Sequence, residues 1–303
     1  MKNSLSIILV NWNQYELTRA CILSLLKCNY KNFKIIVVDN NSYDKSIYKL
    51  SREFDQVYFI KNNSNLGFTG ANNIGINKAK TIGSEYIMLL NNDTEVESNF
   101  LEPLIKRLEN ESDLGIVQPL ILNYQNKDIV WNFGGKFLRF FGNPVTLNKN
   151  KNICSIVDCK YTEWVSGCCF VFRSSLTDLI GMLDDDYFVY FEDVDYSLKI
   201  KKAGYKLGVE INSKIYHHEG ESWKIKKSLS GNISPFVHYL RFRNHLYFIK
   251  KNYAEFNLFG TILYQFFKLL VFSFYFILRL RFRKLKMVFK GLRDGLKSVK
   301  NDI

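Results

Sequence analysis

Short apolar runs alternate with helix-length segments along the N-terminal part of the chain. Four runs are continuous enough to be strands buried on both faces, and they cover residues 5–10, 33–38, 57–60 and 86–90. The segment Tyr15–Leu26 between the first two runs has apolar residues at helical spacing. Because strands that alternate with helices form right-handed crossovers, the pattern predicts an α/β fold with a mostly parallel, Rossmann-like central sheet flanked by helices.

Each of the four apolar runs is followed by small polar residues or glycine. They are Asn11 and Asn13, Asp39 and Asn40, Asn65 and Gly67, and Asn91 and Asp93. These residue types are also common in ordinary turns, so any single one would indicate little. In a parallel sheet, however, ligands bind at the carboxyl ends of the strands. Four polar strand ends in succession therefore predict a polar small-molecule site at one edge of the sheet.

Two residue types in this pattern suit a divalent cation. Asp93 directly follows a predicted buried strand, where a carboxylate can hold Mg²⁺ or Mn²⁺ between two phosphates. The chain has four histidines, and His217 and His218 are adjacent. A single histidine is more often an ordinary surface or core residue, but a neutral imidazole can complete the coordination of an ion held by Asp93.

A second acidic position follows a strand-like run at residues 164–172 and a short helix. An aromatic stretch there leads into Glu192, Asp193 and Asp195, at the start of a predicted helix. Acids in a first helical turn are favoured by the helix dipole, so an ordinary helix start is one interpretation. Aromatic packing beside a carboxylate also raises its proton affinity, which a general base requires. Residues 110–161 between the two acidic positions are predicted to be irregular.

The distribution of charge separates the end of the chain from the rest. With 303 residues and 47% hydrophobic content, the chain can bury one large core and carry an appendage. The net charge is +13, and residues 236–303, with 14 Lys or Arg and three acids, carry +11 of it. Because this basic tail is also rich in Phe, Leu, Ile and Tyr, it favours an anionic membrane surface, and no nucleic-acid partner is expected.

Within the tail, residues 256–280 are mostly apolar and long enough to span a membrane. Lys268 lies near the middle, where a charge costs about 2.5–3.5 kcal/mol, so we favour a helix or hairpin that lies in the membrane interface. The next segment has apolar residues at helical spacing and a basic polar face. Its apolar positions are Leu285, Val288, Phe289, Leu292, Leu296 and Val299. A solvated helix packed on its own domain is the alternative to a membrane-binding helix.

Cysteine usage and the N-terminus indicate the compartment. The six cysteines include no CxxC pair and no metal-ligand spacing, which argues against a zinc site and a disulfide scaffold. Reduced thiols fit a cytosolic compartment. The first apolar run is too short for a secretory signal. We expect a cytoplasmic protein, peripheral on the inner face of the cell membrane.

The order of the motifs resembles the family-2 glycosyltransferases with a GT-A fold, especially their rhamnosyltransferase-like branch. The motifs are SIILVNWN, IIVVDNNS, NLGFTGANNIG, LLNNDTEV, WVSGCCFVF, YFEDVDYSLKIKKAGY and YHHEGES, and they cover about residues 4–222. The resemblance implies an inverting transfer of a sugar, with rhamnose among the candidates, from a UDP- or dTDP-sugar to a hydroxyl of a saccharide or lipid-linked acceptor. It also implies a role in bacterial cell-surface polysaccharide synthesis and a Mg²⁺ or Mn²⁺ cofactor.

The resemblance assigns the donor side of the site to the strand ends. Asp39 is similar to the acidic residue that contacts the nucleotide base, and Asn11, Asn65 and Gly67 lie in loops that line the nucleotide. The metal-binding D-x-D motif corresponds to residues 91–93. Its first acid is replaced here by Asn91, so most of the metal role falls on Asp93.

The resemblance assigns the reaction and the acceptor to the later motifs. Asp193 corresponds to the general base, and Glu192 is expected to position the acceptor or the base. His217 is similar to the late metal-ligating histidine. Trp164 and Gly167 resemble the wall of the acceptor site, where an aromatic face can stack on a sugar ring.

The sequence thus predicts a GT-A catalytic domain at residues 1–225 and a helical, basic, aromatic-rich tail at residues 226–303 that associates with the membrane. The alternative is a non-catalytic, membrane-associated module that binds a nucleotide sugar or a saccharide. Asp93, Asp193 and His217 together favour the enzyme. A nucleic-acid binder is the third hypothesis, and the near-neutral charge of the first 235 residues argues against it.

Overall fold

The computed structural model describes residues 4–156, 160–218 and 233–297, which form two compact units. The N-terminal unit is drawn from Met1–Lys136, Thr146–Phe188 and Glu192–Glu219, and the C-terminal unit from Phe137–Val145, Val189–Phe191 and Gly220–Ile303. The expected domain boundary at residues 225/226 lies outside the described residues, as do residues 219–222 of the histidine motif and Val299 and Lys300. The division into domains 1–225 and 226–303 stays a prediction.

The predicted alternation of strands and helices gives the following elements. The strands are β1 (Leu5–Asn11), β2 (Phe33–Asp39), β3 (Tyr58–Lys61), β4 (Tyr86–Asn91), β5 (Thr94–Val96), β6 (Leu114–Asn123), β7 (Val130–Asn132), β8 (Gly135–Leu138), β9 (Asn143–Thr146), β10 (Tyr161–Thr162), β11 (Cys169–Arg173) and β12 (Lys206–His217). The helices are α1 (Tyr15–Leu26), α2 (Ser46–Glu53), α3 (Gly67–Thr81), α4 (Leu101–Asn110), α5 (Leu176–Ile180), α6 (Glu192–Lys202), α7 (Pro235–Lys251), α8 (Leu258–Leu278) and α9 (Phe282–Lys297).

The main sheet has the strand order β10-β12-β6-β11-β4-β1-β2-β3, with β5 and β7 attached to β12 and β6. In this row β11 runs antiparallel to β4 and β6, and β10 runs antiparallel to β12. The other six strands share one direction. The prediction of a mostly parallel sheet flanked by helices is therefore confirmed.

The period-2 geometry of β1 divides its side chains between two helix layers. Leu9 packs in a buried cluster with Ile22 of α1, whereas Ile8 packs in a second cluster with Ala71 and Ile76 of α3. Burying an aliphatic side chain of this size contributes about 1.5–3 kcal/mol. Because both faces are covered, the run has to be apolar throughout, as the sequence shows.

Two of the local predictions are wrong. Residues 110–161 are not irregular, because they contain β6 to β9 and part of β10. Gln118 and Pro119 interrupt the apolar run of β6. Pro119 is paired with Glu210 of β12 next to a register shift, and proline is accepted in strands at such irregular positions because it has no N–H to donate. The strand predicted at residues 164–172 begins only at Cys169.

The C-terminal unit is built on α7, α8 and α9. Ser234 caps α7 by accepting a hydrogen bond from Phe236 N, and Pro235 supplies a favourable first helical residue. The core between the helices contains Phe242, Phe276 and Val288, one from each helix. The two tail helices expected from sequence are thus present, as α8 and α9.

Candidate active site

Three neighbouring strands of the N-terminal unit end at one edge of the sheet. Asn11 is paired with Asp39 across β1 and β2, and Val10 is paired with Asn91 across β1 and β4. Asn91 N donates a hydrogen bond to Cys168 O (2.8 Å), which brings the loop before β11 to the same edge. Strand pairing therefore gathers residues that are far apart in the sequence, at the position where α/β sheets bind ligands.

Asn11 and Asp39 form the centre of a buried hydrogen-bond network. Neither side chain is exposed to solvent. Asn11 Nδ2 donates to Asp39 Oδ1 (2.8 Å) and to Ser46 Oγ (2.7 Å), and Asn11 Oδ1 accepts from Thr18 Oγ1 (2.7 Å). Asp39 Oδ2 accepts from Ser42 N (3.0 Å). Because buried polar groups are costly without partners, this network holds the Asp39 carboxylate in one orientation.

The loop after β3 is tied to the loop after β2 through Asn40. Asn40 Nδ2 donates to Asn65 Oδ1 (2.8 Å) and to Gly67 O (3.0 Å), and Asn40 Oδ1 accepts from Leu66 N (2.9 Å). Gly67 has φ +72°, and a Cβ atom at this position would lie 2.4 Å from Phe188 O. Glycine alone satisfies both constraints without strain, so residues 65–67 are held firmly at the edge.

Asp93 and His217 face each other inside the unit, and both side chains are buried. Asp93 Oδ1 and His217 Nε2 are 3.1 Å apart. This distance is short enough for a hydrogen bond, but the angles do not form one. Among the described residues, neither Asp93 Oδ1 nor the other ring nitrogen, His217 Nδ1, has a hydrogen-bond partner. The His218 ring instead stacks on Tyr124 at a centroid distance of 3.5 Å. A buried carboxylate oxygen and imidazole nitrogen in this arrangement fit two ligands of a divalent cation.

The acid–histidine pair is only part of a ligand set. Within residues 4–156, 160–218 and 233–297, no group of three or more His, Cys, Asp or Glu side chains converges on one point. Asn91, at the position where the D-x-D motif has its first acid, ends β4 two residues before Asp93. A cation here would complete its coordination with oxygens from phosphate or water, as Mg²⁺ usually does.

Asp193 is held at the start of α6 by two backbone amides. Its Oδ2 accepts from Gly167 N and its Oδ1 accepts from Val194 N, both at 2.8 Å. Burial raises the pKa of Asp193 above the usual aspartate value, and the hydrogen bonds oppose that rise. A Cβ atom at Gly167 would lie 3.4 Å from Asp193 Oδ2 and 3.5 Å from Glu192 Oε1, so this glycine borders both acids.

The loop before β11 links the two acidic positions, because Cys168 O accepts a hydrogen bond from Asn91 N (2.8 Å) and Gly167 N donates one to Asp193 Oδ2 (2.8 Å). Burial raises the pKa of the Cys168 thiol well above its usual value, and the charges of both carboxylates raise it further. Asn91 ends β4 two residues before Asp93, so the loop before β11 brings Asp193 to the edge where β4 ends. One edge of the sheet thus combines an amide network, an acid–histidine pair and a carboxylate with a raised pKa.

The family model described as "Glycosyl transferase family 2" matches residues 6–159, about half of the chain. The chain belongs to this family. The motif order predicted a family-2 glycosyltransferase. Both the family and the enzyme class are confirmed.

Two curated relatives cover most of this glycosyltransferase. The low-salt glycan biosynthesis hexosyltransferase Agl10 of Haloferax volcanii is 23% identical over 99% of this chain and 92% of its own length. The dTDP-rhamnosyl transferase RfbF of Shigella flexneri is 24% identical over 84% of this chain and 82% of its own. Both are similar along nearly their whole length, which includes the tail region of this chain in the case of Agl10.

Solved structures share the GT-A fold of this glycosyltransferase. GalNAc-T7, crystallised with UDP, GalNAc and Mn²⁺, superimposes with a TM-score of 0.62 at 18% identity over 82% of this chain and 48% of its own. The chain therefore spans about half the length of that protein. TarS 1-349 of S. aureus in complex with UDP gives a TM-score of 0.51 at 16% identity over 81% of this chain and 65% of its own. The predicted GT-A fold is confirmed.

The predicted acceptor wall of the glycosyltransferase consists of two differently placed residues. Gly167 borders Asp193, as described above. Trp164 is mostly buried, and a Cβ atom at Gly135 would lie 1.9 Å from its indole ring. One part of the ring is therefore covered by the chain itself, and stacking of a sugar on Trp164 stays a prediction.

Several residues that shape the site were not identified from sequence. Thr18 and Ser46 are fully buried and hydrogen-bonded to Asn11, although each lies on a helix. Asn92 Nδ2 donates to Thr18 Oγ1 (2.8 Å) and extends the same network. A polar residue within the apolar stripe of α1 is the only sequence signal for Thr18. Ser46 and Asn92 carry no comparable signal.

Proposed function

We propose that this glycosyltransferase transfers a sugar, with inversion, from a UDP- or dTDP-sugar to a hydroxyl of a saccharide or lipid-linked acceptor in cell-surface polysaccharide synthesis. The observation that carries the proposal is that strand pairing and the loop before β11 bring the Asn11–Asp39 network, the end of β4 beside Asp93, and Asp193 to one edge of the sheet. The names of RfbF and Agl10 support a nucleotide-sugar donor and a glycan product, and RfbF supports rhamnose and dTDP among the candidates.

The donor nucleotide would be bound by side chains that hydrogen bonds have already oriented, although Asp39 is fully buried and neighbouring atoms have to move before a base can reach it. The Asp39 carboxylate, fixed by Asn11 and Ser42, can accept a hydrogen bond from an N–H group of the base. Asn65 and Gly67 line the neighbouring loop, where a glycine lets a ligand approach the backbone closely. Prior fixation of these groups reduces the ordering that donor binding requires.

Asp193 would act as the general base. Each of its oxygens accepts one backbone hydrogen bond, which leaves lone pairs free to accept the proton of the acceptor hydroxyl. As that proton moves to Asp193, the acceptor oxygen forms a bond to the anomeric carbon, and the bond to the diphosphate breaks on the opposite face. Glu192, buried beside it, would position the acceptor.

Asp93 and His217 would hold the divalent cation, with Asn91 nearby. When bound, Mg²⁺ or Mn²⁺ would stabilise the negative charge of the departing nucleoside diphosphate. The chain itself contributes a buried aspartate and a buried imidazole whose facing atoms are already 3.1 Å apart. GalNAc-T7, which shares the fold, was crystallised with Mn²⁺.

The experiment is a donor panel. Release of nucleoside diphosphate is measured for UDP- and dTDP-sugars with Mn²⁺ or Mg²⁺, in the presence of a bacterial lipid extract, for the natural protein and for Asp93→Ala. We expect one donor to be consumed by the natural protein and at least ~10²-fold slower turnover by Asp93→Ala. Binding of a nucleotide sugar without turnover of any donor would instead support the non-catalytic binding module.

We further propose that the C-terminal unit binds an anionic membrane surface through α8. One face of α8 exposes large apolar side chains, among them Phe259 (72%), Phe266 (55%) and Phe274 (66%). On another face Lys268 Nζ lies 2.9 Å from His245 Nδ1, within the same unit. A helix that directs its charged residue into its own unit and exposes an apolar face on the other side suits the membrane interface better than a span.

The membrane proposal is tested by flotation with vesicles of phosphatidylcholine and phosphatidylglycerol. The double variant Phe266→Asp/Phe274→Asp should lose binding, because charges on the apolar face oppose insertion. Tyr43→Asp, which changes an exposed aromatic residue of the N-terminal unit, is the matched control and should still float. Undiminished flotation of the double variant would contradict the assignment.

A further inference from the structure

The segment that leads into the proposed base has an unusual backbone. Phe188, Tyr190 and Phe191 all have left-handed φ angles, of 65°, 73° and 74°. Residues with a Cβ atom rarely adopt this region, because Cβ crowds the carbonyl oxygen that follows. Three such residues within four positions persist only where surrounding contacts hold them. Glu192 and Asp193 follow directly.

The first part of this segment is held within the N-terminal unit. Phe188 O accepts hydrogen bonds from Phe68 N (2.7 Å) and Thr69 N (3.2 Å), in the first turn of α3. These amides have no partner inside the helix, so they are available for an outside carbonyl. The same helix start is opened by Gly67, whose missing side chain leaves room for Phe188.

The remainder of the segment, Val189–Phe191, is held within the C-terminal unit by Asn244 of α7. Asn244 Nδ2 donates to Val189 O (2.8 Å) and to Tyr190 O (2.9 Å), so both amide hydrogens are used. Asn244 Oδ1 accepts from Arg243 Nε (2.8 Å), and the side chain is fully buried. Arg243 thus orients the Asn244 side chain, which donates hydrogen bonds to the carbonyl oxygens of two successive residues, Val189 and Tyr190.

A ring contact supports the same segment. The Phe191 ring stacks on His245 at a centroid distance of 4.8 Å. His245 Nε2 lies 2.9 Å from Gly142 O, which fixes the imidazole in place. The two consecutive residues Asn244 and His245 therefore hold the backbone and the last side chain before Glu192.

We propose that Asn244 is a positioning residue for the general base Asp193. The inference rests on the proposed function of Asp193, and Asn244 itself touches no reacting atom. Asn244 fixes the carbonyls of Val189 and Tyr190 and thereby the left-handed conformation of the segment. The covalent chain then sets where α6 begins and hence where the Asp193 carboxylate lies.

The test compares three variants of the full chain. Asn244→Ala removes both donors, and Asn244→Asp keeps the shape but replaces the donors with oxygens that repel the carbonyls. Asn252→Ala is the matched control, since Asn252 is a buried asparagine at the end of the same helix whose Nδ2 donates to Phe248 O (3.2 Å). Steady-state kinetics, UDP affinity, melting temperature and backbone hydrogen exchange of residues 189–194 are measured for each.

We expect both Asn244 variants to lower kcat about 10–100-fold, because a shift of about 1 Å at a reacting group has an effect of this size. UDP affinity and the donor KM should change less than about threefold. Exchange at residues 189–194 should increase. Asn252→Ala should keep kcat even where its melting temperature falls, which separates positioning from general stability.

Two results would overturn the inference. One is an Asn244→Ala protein with the natural kcat, provided that the natural protein transfers sugar. The other is unchanged hydrogen exchange at residues 189–194, which needs no activity and so remains decisive even if the proposed reaction is wrong. Absence of turnover in the natural protein together with faster exchange in Asn244→Ala would refute the proposed function and still support the structural role of Asn244.

Discussion

The donor edge and the acid segment of this glycosyltransferase are stabilised in different ways. The donor edge, formed by the ends of β1, β2 and β3, is a network of buried amide and hydroxyl groups that satisfy one another within the sheet and its adjacent helices. The acid segment, residues 188–193, contains three strained aromatic residues held by remote partners. We therefore expect nucleotide binding to be robust and catalysis to be sensitive to distant changes.

The sharpest test of this difference is Asp193→Asn. The amide cannot accept the proton of the acceptor hydroxyl, so kcat should fall about 10³-fold, within the usual range for loss of a general base. UDP affinity, which belongs to the donor edge, should stay the same. Asp186→Asn, a change at an exposed acid shortly before the segment, is the control. Equal losses of kcat and UDP affinity would mean that the two regions are not separable.

A pair of glycine variants measures how tightly α3 and Phe188 approach each other. Gly67 and Gly83 have nearly the same φ, +72° and +73°, but only Gly67 is crowded, and no described atom lies within 4 Å of a Cβ at Gly83. Gly83→Ala should lower the free energy of unfolding by about 1–2 kcal/mol through backbone strain. Gly67→Ala should lower it by about 2–5 kcal/mol, because steric overlap is added. Chemical denaturation measures both, and equal losses would contradict the close approach.

A separate variant probes the donor edge itself. Asp39→Asn removes the negative charge from the centre of the Asn11 network, and we expect UDP to bind about 10–100-fold more weakly, the effect of losing a hydrogen bond to a charged group. The value of kcat at saturating donor should change little. Isothermal titration with UDP checks the prediction, with the exposed Asp55→Asn as control. A lower kcat with unchanged UDP affinity in Asp39→Asn would reverse the roles assigned to the two regions.

The mildest effect is on the pH profile. A general base must be deprotonated, so kcat should fall tenfold per pH unit on the acid side of its pKa. Burial raises the pKa of Asp193, which moves this fall to higher pH than for an ordinary aspartate. Initial rates at saturating donor are measured over the pH range in which the protein still binds UDP. They give the pH at which kcat has fallen to half. A midpoint no higher than that of an ordinary exposed aspartate would contradict the raised pKa of Asp193.

The sequence was sufficient to predict the helices and strands whose apolar pattern follows from their burial alone. The bounds of α1, Tyr15–Leu26, agree with its apolar spacing at both ends. The continuous apolar runs of β1, β2 and β4 follow from burial on both faces, and the polar residues after them follow from the end of that burial. The polar residues that follow these strands were therefore identifiable before their hydrogen bonds were known, and their role in donor binding stays a prediction.

Other features depend on partners that no local pattern reveals. β6 was missed because Gln118 and Pro119 interrupt its apolar run, and their acceptability depends on the neighbouring strands. The left-handed conformation of Phe188 requires the start of α3, which comes earlier in the chain. Asn244 lies 55 residues from Val189, with which it forms a hydrogen bond. Spacing in sequence carries no information about such pairs.

Two segments that precede α7 in the sequence belong to the C-terminal unit. They are Phe137–Val145 and Val189–Phe191. A gene fragment that ends near residue 225 would therefore encode five aromatic side chains that normally pack with the missing C-terminal segment. They are Phe137, Phe140, Phe141, Tyr190 and Phe191. We expect such a fragment to aggregate when produced alone and to become soluble when residues 226–303 are co-expressed.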